Sequence, residues 1–359
     1  MAKTKVAVIF GGASSEHDIS LISAANIIKS IPMDKFEIIK IGITKKGRWF
    51  YFPGDVSEIE NGNWENDPDC CSAILSPDPL HHGFIILDGG KANIKKVDVI
   101  FPVLHGKNGE DGTIQGLFEL ARIPYVGCGV LASAACMDKA VAHMILEYSG
   151  IPMAKWRQIS IDKISHVDEI CAKIADSLGG FPLFVKPANA GSSIGVSRAD
   201  NLEELCEGAK NAFTHDTKII IEECINGREI ECAVFGNDNP FASFAGEIAN
   251  EDGNFYDFDS KYVSKTKTVI PADIDFDVMM KIRETAVKAY KAIGCRGLSR
   301  VDFFLTDNNK ILVNEINTLP GFTDISMYPK LMENLGMSQP YLIEKLIESA
   351  LEDTNRNYF

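Results

Sequence analysis

The sequence predicts an α/β fold with an α+β portion, divided among two or three domains, and three observations carry that prediction. At 359 residues the chain exceeds a single ordinary core. Its opening, "KVAVIFGGASSEHDISLISAANIIKSI", reads as buried strand, glycine turn and helix, and "FEIIKIGIT" and "VDVIFPVLHG" repeat the continuous apolar strand of a parallel sheet. Farther on, short strands alternate with amphipathic helices, as in a compact α+β unit.

Taken in order, the opening forms a small α/β domain. "IPYVGCGVLASAACMDKAVAHMILEYSGIPM" predicts one helix closed by Gly150 and Pro152. "FPLFVKPANAGSSIGVSRA" gives two short strands around a small-residue loop, and "NLEELCEGAKNAF" a capped amphipathic helix. "KIIIEECINGREIECAVFG" reads as a strand pair joined through Asn226 and Gly227. Near the end, Leu342, Ile343, Leu346, Ile347, Ala350 and Leu351 stripe a helix that serves packing. No internal repeat or low-complexity tract interrupts the chain.

With 45% hydrophobic and 24% charged residues the composition is globular. A net charge of −14 repels polyanions and argues against broad binding to nucleic acid or anionic membranes, although local lysines and amides could still hold a small phosphate ligand. The nine cysteines are scattered without a CxxC pair, which fits a reducing cytosol. "VAVIF" is too short for a signal-peptide core, and no stretch could span a bilayer. A soluble cytoplasmic protein is expected.

The chemistry concentrates in "SRVDFFLTDNNKILVNEINTLPGF", residues 299–322. Asn308 and Asn309 both tolerate left-handed backbone, so a two-residue turn is expected between two strands. That register sets Asp302 opposite Glu315 and Arg300 opposite Asn317, with Val301, Phe303, Leu305, Leu312 and Ile316 on the core face. Carboxylates paired across strands repel, so a cation is expected between them. Oxygen ligands from Asp, Glu and Asn suit Mg²⁺ completed by water and phosphates. Neutralisation of the pair by Arg300 is the plainer alternative.

Other segments are individually weak. "KPANAGSSIGV" could close over phosphates, but matches neither the Walker nor the dinucleotide spacing, and a simple hairpin turn would use the same residues. Glu222, Glu223 and Glu229 could meet adenine or ribose, or be solvated charges at a strand end. His105, Glu110 and Asp111 lie among glycines, open to a metal site or to a turn before a helix. Glu16 and His17 follow the first strand, where doubly wound sheets bind ligands and where helix starts favour acids. "NFYDFDSKYVSKTKT" reads either as a lid over phosphates or as an exposed hairpin.

Together, "FGGASSEHDISL", "LHGKNGEDGTIQG", "MDK", "KPANAGSSIGV", "EECINGREIECAV", "SKY", "SRVDFF" and "NEINTLPGFT" resemble, in order and over nearly the whole chain, the D-alanine–D-alanine ligase family of the ATP-grasp superfamily. The resemblance implies a three-domain architecture: a doubly wound parallel-sheet substrate domain over 1–127, a central ATP-grasp subdomain over 128–222, and a metal-binding domain over 223–359. It implies ATP and two Mg²⁺ ions, with Mn²⁺ as a substitute, held by Asp302, Glu315 and Asn317. Lys139, Lys186, Ser192 and Ser193 would meet the phosphates, Glu222, Glu223 and Ile225 the adenine, and Glu229 the ribose. At Glu223 and Cys224 the chain departs from the lysine and bulky aromatic usual in the family. Glu16 would anchor the first ammonium near His105. Arg300 and Gly321 would stabilise the tetrahedral intermediate, and Lys261 and Ser326 would hold the second carboxylate. Glu16, Ser192 and Tyr262 would join the first domain, the loop and the lid. A homodimer is also implied.

The same resemblance bears on the second substrate. Tyr262 stands where D-lactate-using relatives carry histidine, and Met327 where D-serine-using relatives often carry a basic residue; both favour D-alanine. "FPVLHGKNGEDGTIQG" and "GRWFYF" also look like the branch containing D-alanine–D-serine ligases. Two other classes stay open: an NAD-dependent dehydrogenase, opposed by the absence of GxGxxG after "VAVIF", and a nucleotide-binding regulator without catalysis.

Overall fold

A computed structural model describes residues 2–191, 194–249 and 267–357. In the first unit β1 (Thr4–Gly11) lies parallel to β2 (Phe36–Ile43) and β7 (Val99–Leu104), and α1 (His17–Ser30) makes the first crossover. The apolar runs that predicted a parallel sheet are these three strands, and β7 is buried throughout. The sheet is extended by antiparallel strands, β3 (Trp49–Tyr51) before α2 (Val56–Glu60), and β4 (Cys71–Leu75), β5 (Gly83–Asp88) and β6 (Lys91–Lys96) after it. The order is β6-β5-β4-β3-β2-β1-β7, so parallel pairing is confined to one end. Lysines on the exposed edge β6 discourage further strand addition.

α3 (Thr113–Ala121) leads to two helices where the sequence predicts one: α4 (Val130–Met137) and α5 (Lys139–Tyr148). Asp138 breaks them apart. Its backbone is extended, its carboxylate accepts from the Val141 amide at 3.1 Å, and it pairs with Lys218. The Lys139 amide then donates to the Ala188 carbonyl at 2.9 Å, tying α5 to the loop of the next unit.

The central unit holds β8 (Trp156–Ser160), α6 (Val167–Leu178), β9 (Leu183–Pro187), β10 (Ser197–Ala199), α7 (Leu202–Ala212) and β11 (Lys218–Glu223). Its antiparallel sheet runs β10-β9-β11-β8 over a core of its own that includes Ile159, Cys171, Val185, Leu205 and Ile221. The expected cap on α7 is present, with Asn201 accepting from the Glu204 amide at 3.0 Å.

The third sheet runs β15-β14-β12-β16-β17, from β12 (Arg228–Phe235), β14 (Gly246–Ala249), β15 (Lys267–Val269), β16 (Leu298–Leu305) and β17 (Ile311–Asn317), with β13 (Phe241–Ala242) beside β12. The strand pair expected through Asn226 and Gly227 is therefore corrected: β11 and β12 belong to different sheets, and residues 224–227 cross between them. α8 (Phe276–Ile293) covers one face of this sheet. α9 (Met327–Asn334) and α10 (Gln339–Asn357) carry Tyr328, Leu331, Leu342, Ile343, Leu346 and Ile347 into a cluster shared with Val6, Val8 and Phe10 of β1.

The β16–β17 hairpin pairs Asp302 with Glu315 and Arg300 with Asn317, as the sequence predicts, by a different route. Near the loop the register is Leu305 to Ile311 and the Thr306 amide bonds to the Lys310 carbonyl, so three residues form the loop and only Asn309 is left-handed, at φ 59°. A bulge between Asp302 and Phe303 offsets the extra residue. Val313 consequently takes the core place expected for Leu312, which pairs instead with Phe304 on the opposite face.

Candidate active site

One face of the third sheet collects the chemistry. In one cross-strand row Glu231 of β12 faces Asp302, which faces Glu315; in the next, Arg300 faces Asn317. Glu229 lies on this face too, opposite Phe304. Arg300 donates Nε to Asp302 Oδ1 and Nη2 to Asp302 Oδ2, both at 2.7 Å, and its Nε lies 3.0 Å from Glu231 Oε2. Burial alone would lower the guanidinium pKa, but Asp302 and Glu231 outweigh it and raise it further, so Arg300 stays charged. Neutralisation by Arg300, the plainer sequence reading, is thus present for Asp302. Among the described residues no three His, Cys, Asp or Glu side chains form a ready metal cage. The donors that are present (Asp302, Glu315 and Asn317) offer oxygen only, on one face, which fits Mg²⁺ completed by phosphates. Asn317 Oδ1 also braces the next loop, accepting from the Leu319 amide at 3.2 Å.

The central sheet supplies the opposing cations. Lys186 of β9 contacts Glu222 Oε2 of β11 at 2.5 Å, and His143 Nε2 of α5 lies 3.4 Å from Glu222 Oε1. Burial pulls the lysine pKa down, yet Glu222, with Glu315 and Glu229 of the third sheet, raises it overall. Glu222 is conversely held below the carboxylate norm, its burial offset chiefly by Lys186. Burial lowers His143 against the pull of Glu222, favouring neutral imidazole. Lys139 Nζ donates to the Ala190 carbonyl at 2.7 Å, two residues before Ser192 in the sequence. Strand alternation separates the adjacent acids: Glu223 points away and accepts from the Lys155 amide at 2.8 Å, so its carboxylate leaves the cleft. Ile225 sits in the crossover between the sheets.

The first unit closes the third side. Glu16 occupies the N-cap position of α1 without a side-chain capping bond, and its Oε2 lies 2.8 Å from where a Cβ on Gly106 would stand and 3.5 Å from the corresponding point on Gly191. A side chain at Gly106 would crowd the carboxylate, whereas one at Gly191 would only touch it. His105 is buried, with Nδ1 3.1 Å from the Leu319 carbonyl, and burial lowers its pKa against the pull of Glu16. Burial, then the charge of Glu16, pushes Glu110 up to about 8 although the Gly106 amide donates to it at 2.6 Å. Asp111 instead accepts from Asn108 and Thr113 amides, so the His105, Glu110 and Asp111 metal site considered from sequence is not assembled.

α1 also grips the loop after β17. Ser23 Oγ accepts from the Phe322 amide at 3.3 Å, and Asn26 Nδ2 donates to the Phe322 carbonyl at 3.1 Å and to Asp324 at 3.0 Å. A Cβ on Gly321 would stand 2.8 Å from Ser326 Oγ, so glycine is required for that approach. Ser326 Oγ itself accepts from the Thr323 amide at 2.9 Å. Met327 is 4% exposed, its sulfur packed against Gly246. Ser192, Ser193, Lys261 and Tyr262 lie outside the described residues.

Glu231, His143, Ser23 and Asn26 are the site-region residues not singled out for a role from sequence. The only local signal is a charged or polar residue interrupting an apolar strand or helix face, as in "EIECAV" and "KAVAHMILEY".

Comparison with known proteins identifies the family. A family model described as D-ala D-ala ligase N-terminus matches residues 5–128, and one described as D-ala D-ala ligase C-terminus matches 145–348. D-alanine–D-alanine ligase from Acetivibrio thermocellus is 50% identical, the match covering 99% of this chain and 98% of the relative. The corresponding protein from Thermoanaerobacter pseudethanolicus is 47% identical over 99% and 98%. Among solved structures, VanG D-Ala:D-Ser ligase from Enterococcus faecalis superposes with TM-score 0.89 at 43% identity, covering 97% of this chain and 100% of that one. The D-alanine–D-alanine ligase from Coxiella burnetii gives TM-score 0.88 at 35% identity, covering 99% and 96%. The fold defines the ATP-grasp class. The chain belongs to the D-alanine–D-alanine ligase family.

Proposed function

We propose that the protein is an enzyme that joins two D-alanines with ATP, giving D-alanyl-D-alanine for peptidoglycan precursors through an acyl phosphate. The observation that carries this reading is the oxygen-ligand face of Asp302, Glu315 and Asn317 beside Arg300, with Lys186 close enough to feel Glu315. Asp302, Glu315 and Asn317 would hold Mg²⁺, two ions with Mn²⁺ as a substitute, which neutralises phosphate charge when bound.

The first D-alanine is held by its ammonium at Glu16, near His105. Its carboxylate attacks the γ-phosphate, the bond to ADP breaks, and Lys139, Lys186 and the loop at Ser192 and Ser193 offset charge on the transferred group. Glu222, Glu223 through its main chain, and Ile225 flank the adenine, and Glu229 takes the ribose. Ser326 and Lys261 hold the carboxylate of the second D-alanine, whose amine attacks the activated carbonyl. Arg300 and the Gly321 amide stabilise the oxyanion until phosphate leaves. Glu16, Ser192 and Tyr262 join the three parts of the closed site, which excludes water from the acyl phosphate. The protein works in the cytoplasm as a homodimer.

D-serine as second substrate is the alternative, favoured by the D-Ala:D-Ser ligase among the structural relatives. The apolar Met327 and the names of the most similar curated relatives favour D-alanine. The deciding experiment measures ATP-dependent phosphate release with D-alanine alone, then with D-serine or D-lactate added, identifying products by mass. D-alanyl-D-alanine from D-alanine alone is expected. Release only with D-serine would shift the substrate, and no release in any mixture would overturn the ligase reading.

A further inference from the structure

Glu231 has no part in the reaction just described, yet it is 6% exposed and 3.0 Å from the arginine at its centre. It completes a row of three carboxylates abreast on adjacent strands, Glu231, Asp302 and Glu315, with Arg300 reaching in from the neighbouring row. Like charges directly opposed on a sheet destabilise it, so this row needs its cations.

Asp302 carries two incompatible duties. Both of its oxygens are engaged by Arg300 at 2.7 Å, and the same oxygens would ligate Mg²⁺. Glu231 occupies the far end of the row from Glu315, with Asp302 between them, so it is the carboxylate that the metal leaves to Arg300. Its contact is to Nε, at the base of the guanidinium fork, which frees the terminal nitrogens to face an oxyanion. We propose that Glu231 is a positioning residue: it retains Arg300 when Asp302 turns to the metal, releasing Asp302 for ligation and fixing Arg300 on the reacting centre. This rests on the ligase reading of Asp302 and Arg300.

In that arrangement Arg300 and the metal compete for Asp302 once Glu231 is neutral, and the competition vanishes if Arg300 is also removed. The test is a double-mutant cycle with Glu231→Gln and Arg300→Met, reading the Mg²⁺ dependence of ADP binding by calorimetry alongside turnover. Glu231→Gln is expected to weaken the Mg²⁺-dependent binding about 10-fold in the wild-type background and to have no effect in the Arg300→Met background. Turnover at saturating Mg²⁺ and ATP should fall about 10-fold, and Glu231→Asp should recover part of it. Equal weakening in both backgrounds would mean Glu231 acts as a general negative charge, and no weakening in either would mean it acts only in packing; both overturn the proposal. Should Glu231→Gln not fold, the cycle is run with Glu231→Asp, whose shorter carboxylate gives a smaller loss under the same criterion. Wild-type enzyme that binds Mg²⁺ and ADP but ligates no D-amino acid would overturn the function while leaving this coupling to be read from binding.

Discussion

Arg300 and Glu110 show how burial gives single residues opposite fates. Two carboxylates keep the Arg300 charge despite its burial, and the planar fork spans both oxygens of Asp302. Arg300→Ala should lower kcat about 10²–10³-fold if the guanidinium acts as an oxyanion donor. Arg300→Lys should fall nearly as far, because an ammonium cannot reproduce the bidentate fork. Steady-state kinetics decide this, and near-normal turnover in Arg300→Ala would remove the assignment. Among the described residues no cation offsets the burial of Glu110. Its pKa rises from 4.5 to about 8 through burial and then Glu16, so between pH 4.5 and 8 the unfolded chain ionises this carboxyl while the folded chain keeps it protonated, and stability falls as pH climbs through that window. Below that window the acid is neutral in both states and nothing is lost. Glu110→Gln should therefore gain melting temperature relative to wild type at pH 8.5 and little at pH 5.5. A difference independent of pH would mean Glu110 titrates as an ordinary carboxylate. Met327 teaches a related caution: placing arginine there, against Gly246 and within the core, would bury a charge as well as alter specificity.

At the scale of elements, local pattern was legible and non-local partnership was not. Alternation alone put Arg300, Asp302, Glu315 and Asn317 on one face, and the hairpin keeps them there. Loop length was ambiguous because adjacent Asn308 and Asn309 both suit left-handed backbone, and the bulge was hidden because Leu312 and Val313 are equally apolar. β11 and β12, apolar runs flanking Asn226 and Gly227, imitate a hairpin; only their distant partners reveal two sheets. Glu231 escaped notice for the same reason, its partner Arg300 lying, among the described elements, three strands and a long helix farther along the chain. The grip of α1 on the loop at Phe322 is another such contact. Asn26→Ala removes the donor to Phe322 and Asp324, and should cost about 1 kcal/mol of stability. Because that loop carries Gly321, kcat should also drop, about 10-fold for a displacement of a fraction of an ångström. Lost stability with unchanged kcat would restrict the grip to packing.

Across the whole molecule, the cores show which parts share a fate on opening. The hydrophobic cluster of β1, α1 and β7 continues into α9 and α10, so the chain's beginning and end are one packed body. The central unit has a separate core bounded by Ile159 and Ile221. It meets its surroundings through polar links, including Lys218 with Asp138 and the amide of Lys139 on Ala188. Cooperative opening follows contiguous apolar packing, so amide exchange should release the central unit first, while protection of β1, β7 and α10 disappears together at higher free energy. Nucleotide with Mg²⁺ changes that order if it is gripped by Lys186 and Glu222 on one sheet and by Asp302 and Glu315 on the other, because separating the sheets then requires its release. At a free concentration of about 100 times Kd, exchange through that opening should slow about 100-fold. Exchange of β9 and β11 amides with and without ATP and Mg²⁺ measures the effect. Unaltered rates under saturating nucleotide would mean that the ligand does not bridge the two sheets, whatever each contributes by itself.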